Sequence, residues 1–261
     1  MKANFNELTV NYSDKQLKDL FNSVVQETTE QTEYIYNLTK LFSFALDHDR
    51  KLITNHNITK NETRDYQLRE FITNWCNGYI SEKSQPASQR PLKNKGEKDP
   101  ALIKRVNTAK KLESGKTLND YFLGHQLYMS AENTNGKVLE EFLASILEKV
   151  GWIWCAGAPI MAVDCMNISN HVYKMLQIKN KYNTENSSSN KIRTGKPIHK
   201  WYRLKKPSTK DPYRPRENWT ALLEELNLDS YSEKQKEFLI NNLTEEKYLQ
   251  YIANNTIGAQ G

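Results

Sequence analysis

Asp164 stands alone in an apolar run with Met161, Ala162 and Val163, and thirteen residues later Gln177-Ile178-Lys179 closes a second apolar run that includes Val172, Tyr173, Met175 and Leu176. An acid on one strand and a lysine on the next is the least that metal-assisted phosphodiester hydrolysis requires. That reaction needs a divalent cation to neutralise charge and generate a hydroxide, and a group to orient the nucleophile. Mg2+ takes oxygen ligands and is usually held by one or two carboxylates together with waters and substrate phosphate. Asp164 offers one carboxylate, the Gln177 side chain or the Ile178 carbonyl a further oxygen, and Lys179 a charge to stabilise the transition state. Side chains alternate along a strand, so Gln177 and Lys179 share a face and Ile178 takes the other. A third acid is available from the preceding helix, where Glu140 and Glu141 fall.

The chain then turns polar and basic, from Asn180 through Asn183, Glu185, Asn186, Ser187, Ser188, Ser189, Arg193 and Lys196 to Lys200-Trp201-Tyr202-Arg203. Asn and Ser can cap a helix, and they can equally donate to phosphates, the contacts that fix a protein's register on DNA. Arg193, Lys196, Lys200 and Arg203 suit phosphate contacts or bidentate reading of guanine. From Lys174 to Arg216 thirteen Lys and Arg face only Glu185 and Asp211, a net +11; from Pro86 to Lys116 the balance is +6. Both exceed or equal the +6 of the whole chain, so the remainder is acidic and the positive charge is focused, as a polyanionic partner requires.

These groups need elements to position them. Ser13 can cap a helix that runs to Asp47, with Leu17, Leu20, Phe21, Val24 and Val25 at helical spacing. Asp65–Tyr79 repeats the pattern, Ser81–Lys98 reads as a loop, and helix is predicted again at Ala101–Leu112 and Leu118–Ser130. A turn at Asn133-Thr134-Asn135-Gly136 precedes a helix over Val138–Val150. Trp152–Ala156, Ile160–Met166 and Tyr173–Lys179 read as strands, and Trp219–Leu226 and Glu233–Asn255 as helices. The expected fold is α+β: a small central mixed sheet, a helix-rich N-terminal half and C-terminal helices. One domain over 1–261 is expected, with 1–130 for dimerisation or embracing DNA, 131–216 as the catalytic core and DNA-contacting segment, and 217–261 as C-terminal helices.

Several functions are excluded or disfavoured. Cys76, Cys155 and Cys165 have no CxxC pairing and do not read as a disulfide frame or zinc site. The first thirty residues carry no apolar signal core, and no window reaches membrane-span length, so a cytoplasmic chain without a membrane partner is expected. Gly115-Lys116-Thr117 imitates the end of a phosphate-binding loop, but Lys110 stands where its first glycine belongs.

Asp164, Gln177-Ile-Lys179, the run from Lys179 to Ser189, Ile192-Arg193-Thr-Gly and Ile198-His-Lys-Trp-Tyr-Arg203 resemble type II restriction endonucleases of the PD-(D/E)XK superfamily, and within it the group recognising GGNCC-type sites. The specific likeness spans Asp164 to Arg203, roughly forty residues. It implies a bacterial, Mg2+-dependent, homodimeric nuclease that cuts double-stranded DNA at a short palindrome, encoded with a cognate DNA methyltransferase. Carried over position by position, Asp164 is the metal-binding aspartate, Gln177 occupies the usual Asp/Glu position and Lys179 is the catalytic lysine. Gln177 removes a negative charge from the metal site, so a compensating acid is expected: Glu141 foremost, with Glu140 and Glu185 as alternatives. Two rival functions are a non-catalytic DNA-binding protein using the same basic segment, and a repair or junction nuclease on the same core.

Overall fold

In a computed structural model the described residues are 1–93, 99–110, 115–169, 172–182 and 197–258. The first long apolar periodicity forms two helices where one is expected. Ser13 caps α2 (Asp14–Thr28) in a reciprocal capping box with Gln16, and α3 (Thr32–His48) follows after an extended break at Thr29. The break folds α3 back, so Phe21 stacks on Phe42 with ring centroids 4.2 Å apart, and Trp75 of α4 (Arg64–Ser84) meets both rings edge-on. A short helix α1 (Phe5–Leu8) buries Phe5 against Phe42 and Phe71, and β1 (Lys2–Ala3) pairs antiparallel with β2 (His56–Asn57). This is the aromatic centre of the N-terminal half.

The remaining strands form a mixed sheet in chain order: β3 (Trp152–Trp154), β4 (Cys165–Ser169), β5 (Val172–Lys181), β6 (Ile198–Lys205) and β7 (Arg216–Glu217). β3, β4 and β5 run antiparallel in turn, β5 and β6 are parallel, and β7 returns antiparallel. The expected α+β architecture with a small mixed sheet is therefore what the chain adopts. After α5 (Pro100–Lys110), α6 (Gly115–Leu147) is continuous through Asn133–Gly136, where a turn is expected. Tertiary anchors outweigh the weak helix propensity of that tetrapeptide. Tyr248 Oη donates to Asn135 Oδ1 at 2.8 Å, and Leu139, Leu143 and Leu147 are buried along the same helix. The C-terminal segment divides into α7 (Trp219–Leu226), α8 (Glu233–Asn242) and α9 (Glu245–Asn255), the last capped by Thr244. Among the described residues no helix is long and apolar enough to cross a membrane.

One strand boundary matters for the site. Ile160–Met166 reads as strand, yet Ile160 makes only an isolated bridge to Ile53, Ala162 adopts φ 59°, and β4 starts at Cys165. The segment ahead of Asp164 is instead clamped to the N-terminal half. Pro159 O accepts from Trp75 Nε1 at 2.9 Å and from Thr54 N at 3.2 Å, and Met161 N donates to Leu52 O at 2.7 Å. Gly157, at φ 70°, lies so close to α4 that a Cβ would stand 2.3 Å from Gly78 O. Gly157→Ala adds both a left-handed backbone cost and a backbone clash. Its expected effect is a loss of at least about 2 kcal/mol of stability, read as a lowered guanidinium midpoint; an unchanged midpoint would show that the loop does not need this approach.

Candidate active site

β4 and β5 diverge at Asp164, and the divergence places its carboxylate. The backbone ladder continues through Asp164, whose N–H donates to Leu176 O at 2.8 Å while its carbonyl accepts from Cys155 N at 2.9 Å. One residue further along β5 the side chain takes over: Asp164 Oδ2 accepts from Ile178 N at 2.6 Å. The carboxylate thus sits in the fork between the strands, opposite Gln177 and Lys179. Gln177 pairs in register with Lys200 and Lys179 with Tyr202 across the parallel β5–β6 ladder. Strand alternation puts Ile178 and Trp201, both buried, on the other face.

Burial raises the Asp164 carboxyl above its ordinary range, opposed by the Ile178 N–H and the Lys179 charge. The Glu140 carboxyl is raised well above its ordinary range, first by burial and next by the charge of Asp164, with Lys179 and Lys137 opposing. Of the two adjacent acids on α6, Glu140 is the one whose charge interacts with those of Asp164 and Lys179. Glu141 goes elsewhere, because successive helix residues diverge by about 100°. Its buried carboxylate accepts from Ser88 N at 3.1 Å, from Ser88 Oγ and from Tyr251 Oη, tying α6 to residues 87–89 and to α9. The choice between adjacent glutamates turns on the phase of α6 against the sheet, a tertiary property that helix periodicity alone does not carry.

Gln177 offers a further candidate oxygen. It is 2% exposed, and its Oε1 has no hydrogen-bond partner among the described residues. An unsatisfied buried acceptor costs about 1–3 kcal/mol, and an amide oxygen is a competent ligand for a hard cation. Among the described residues no three His, Cys, Asp or Glu side chains gather to hold a metal. The candidate donor set is the Asp164 and Glu140 carboxyls and the orphaned Gln177 amide oxygen, with Lys179 on the strand face of Gln177. It fits Mg2+ and not a thiolate-bound metal: Cys155 and Cys165 flank the fork, but burial holds both thiols well above their ordinary range. Two repelling, half-buried carboxyls also link cation loading to proton release. Gln177→Glu is expected to retain cleavage within about tenfold and to shift the Mg2+ requirement to lower concentration, since it supplies the usual carboxylate. Cleavage measured against Mg2+ concentration checks this; complete loss would contradict the ligand role.

The DNA-contact candidates separate. Asn183, Glu185, Asn186, Ser187, Ser188, Ser189, Arg193 and Lys196 lie outside the described residues. Lys200 is half-buried beside Gln177 in the ladder. Arg203 is 8% exposed and faces inward, which corrects its reading as a DNA contact. Its Nε donates to Asn180 Oδ1 at 2.9 Å, Nη1 pairs with Glu245, and the guanidinium lies 5.0 Å from the Tyr248 ring centroid. Strand alternation sets Arg203 on the Trp201 face, against α9. His199 pairs with Glu225 at 2.7 Å, away from the fork.

Residues 89–250, the span that contains Glu140, Asp164, Gln177 and Lys179, match the family described as SinI restriction endonuclease. The chain is 31% identical over 196 residues to the type II restriction enzyme SinI of Salmonella infantis, covering 74% of this chain and 80% of that protein. It is 39% identical over 122 residues to the type II restriction enzyme Eco47I of Escherichia coli, covering 45% of this chain and 50% of that one. With a two-carboxylate fork on a mixed sheet and a family match across more than half its length, the chain belongs to the SinI restriction endonuclease family.

Proposed function

We propose that this protein is a Mg2+-dependent type II site-specific deoxyribonuclease, cutting double-stranded DNA at a short palindromic site of the GGNCC type. It acts as a homodimer within a bacterial restriction-modification system, alongside a cognate DNA methyltransferase. The observation that carries the reading is the convergence of Asp164, Glu140, the orphaned Gln177 amide oxygen and Lys179 at one fork of the sheet. When bound there, Mg2+ would supply the charge neutralisation and the hydroxide that phosphodiester hydrolysis needs. Asp164, Glu140 and Gln177 Oε1 would hold the cation. The Ile178 N–H fixes the orientation of the Asp164 carboxylate, and the Lys179 ammonium stabilises negative charge building on the phosphate.

A palindrome presents the same scissile bond twice, related by a two-fold axis, and a dimer places one fork at each. Incubating the purified chain with plasmid DNA and Mg2+, and mapping the fragment ends, tests the reading. Discrete fragments ending at one recurring palindrome are expected. Structure-selective nicking would replace the proposal with a repair or junction nuclease, and a salt-sensitive shift without cutting would reduce it to DNA binding.

A further inference from the structure

A cationic cluster is built around Glu82 and reaches α6 one helical turn from Glu140. Glu82 of α4, with a side chain only 12% exposed, holds Arg90 Nη2 at 2.9 Å and Lys137 Nζ at 3.2 Å. Arg90 is braced a second time, with Nε and Nη2 donating to Gln85 O at 3.0 and 2.6 Å. Lys137 lies on α6 one helical turn before Glu140, a spacing that stacks the two side chains on one face. Its charge is felt at the Glu140 carboxyl together with that of Glu82. The cluster is therefore contiguous with the metal-binding acids, and it carries two cations against one anion.

The cation heads are not sealed in. The Arg90 and Lys137 side chains are 39% and 52% exposed, while the carboxylate between them is nearly covered. An ammonium has three donors and a guanidinium five; the contacts to Glu82 and Gln85 O leave Arg90 Nη1 and two protons of Lys137 Nζ without partners among the described residues. Glu82, held between them, fixes the spacing of the two heads. A pre-positioned, net positive pair at the rim of a nuclease centre has the chemistry of a phosphodiester oxygen site.

We propose that Arg90 and Lys137, spaced by Glu82, form a phosphate clamp that takes a DNA backbone phosphate next to the one being cut. The clamp rests on the nuclease reading above, and adds to it residues that position the strand over the fork. It reads no base, so it acts on every duplex alike.

The test is affinity for a fluorescently labelled mixed-sequence duplex, measured in EDTA over a series of NaCl concentrations, so that neither cutting nor the recognition site enters. The Lys137→Gln slope of log affinity against log salt is expected to be shallower than wild type by about one. Its affinity near 0.1 M salt falls roughly tenfold. Lys137→Arg keeps the wild-type slope, as does Lys15→Gln on the exposed surface of α2, and thermal midpoints identify any variant that fails to fold. Should Lys137→Gln be such a variant, Arg90→Gln is read in its place with the same expectation. A Lys137→Gln slope equal to that of Lys15→Gln overturns the clamp while leaving the nuclease reading intact. Failure of the wild type to bind duplex removes the nuclease reading and the clamp with it.

Discussion

Asp164→Ala is expected to lower DNA cleavage by about a thousandfold or more while duplex affinity in EDTA stays within a few-fold of wild type. A bound cation supplies several kcal/mol of transition-state stabilisation, and about 1.4 kcal/mol corresponds to each tenfold in rate. Asp164 is the residue in the fork whose carboxylate is both fixed by the β5 backbone and next to a second acid. Removing it leaves Glu140 and a neutral amide, too little charge for a hard divalent ion. The fold should tolerate the change. The Ile178 N–H loses its acceptor, at a cost of about 1–3 kcal/mol, but a half-buried charge that repels Glu140 is removed as well. Asp164→Asn separates the two effects: it keeps an oxygen for Ile178 and should still be inactive. Cleavage by either variant at the wild-type rate would remove Asp164 from the metal site.

Lys179→Ala is expected to slow cleavage by about 10²–10³-fold, the usual cost of deleting one group aimed at developing charge. The signature is in turnover and not in affinity. Lys179 shares its strand face with Gln177, and its charge is felt by both Asp164 and Glu140, so it acts where the phosphate reacts. A single-turnover rate under saturating enzyme reads this step directly. A rate within a few-fold of wild type would show that Lys179 serves only to offset the two carboxyls. The Lys179→Ala protein should also need more Mg2+, because the acids then repel one another without a nearby cation.

The parts of this site that were legible in the sequence are those set by local geometry. Strand alternation requires Gln177 and Lys179 on one face, and an isolated acid at the end of the preceding strand falls across from them. Local geometry does not extend to α6. Whether Glu140 or Glu141 meets Asp164 depends on how a 33-residue helix is rotated against the sheet. That rotation is fixed by Ser88 and Tyr251 gripping Glu141 and by Tyr248 donating to Asn135. Arg203 shows the same limit: its basic neighbourhood points to DNA, but Glu245 and Tyr248, more than forty residues on, claim it for the core. The single helix over Glu233–Asn255 is interrupted locally, where Thr244 caps α9, but the expected turn at Asn133–Gly136 fails for a related reason. Propensity is a weak prior, and contacts distant in sequence decide.

The most direct measurement of the central claim is Mg2+-dependent plasmid cleavage by Glu140→Gln and Glu141→Gln side by side, with thermal midpoints for both. If Glu140 completes the metal site, Glu140→Gln folds as well as wild type or better, having lost a half-buried, repelled charge. It then cuts at least about tenfold more slowly, each tenfold being about 1.4 kcal/mol of lost transition-state stabilisation, with the deficit shrinking as Mg2+ is raised. Glu141→Gln, which weakens the hold on Ser88 and Tyr251, melts at lower temperature yet cuts at close to the wild-type rate when folded. The reverse pattern, with full activity in Glu140→Gln and Mg2+-correctable loss in Glu141→Gln, would contradict the assignment.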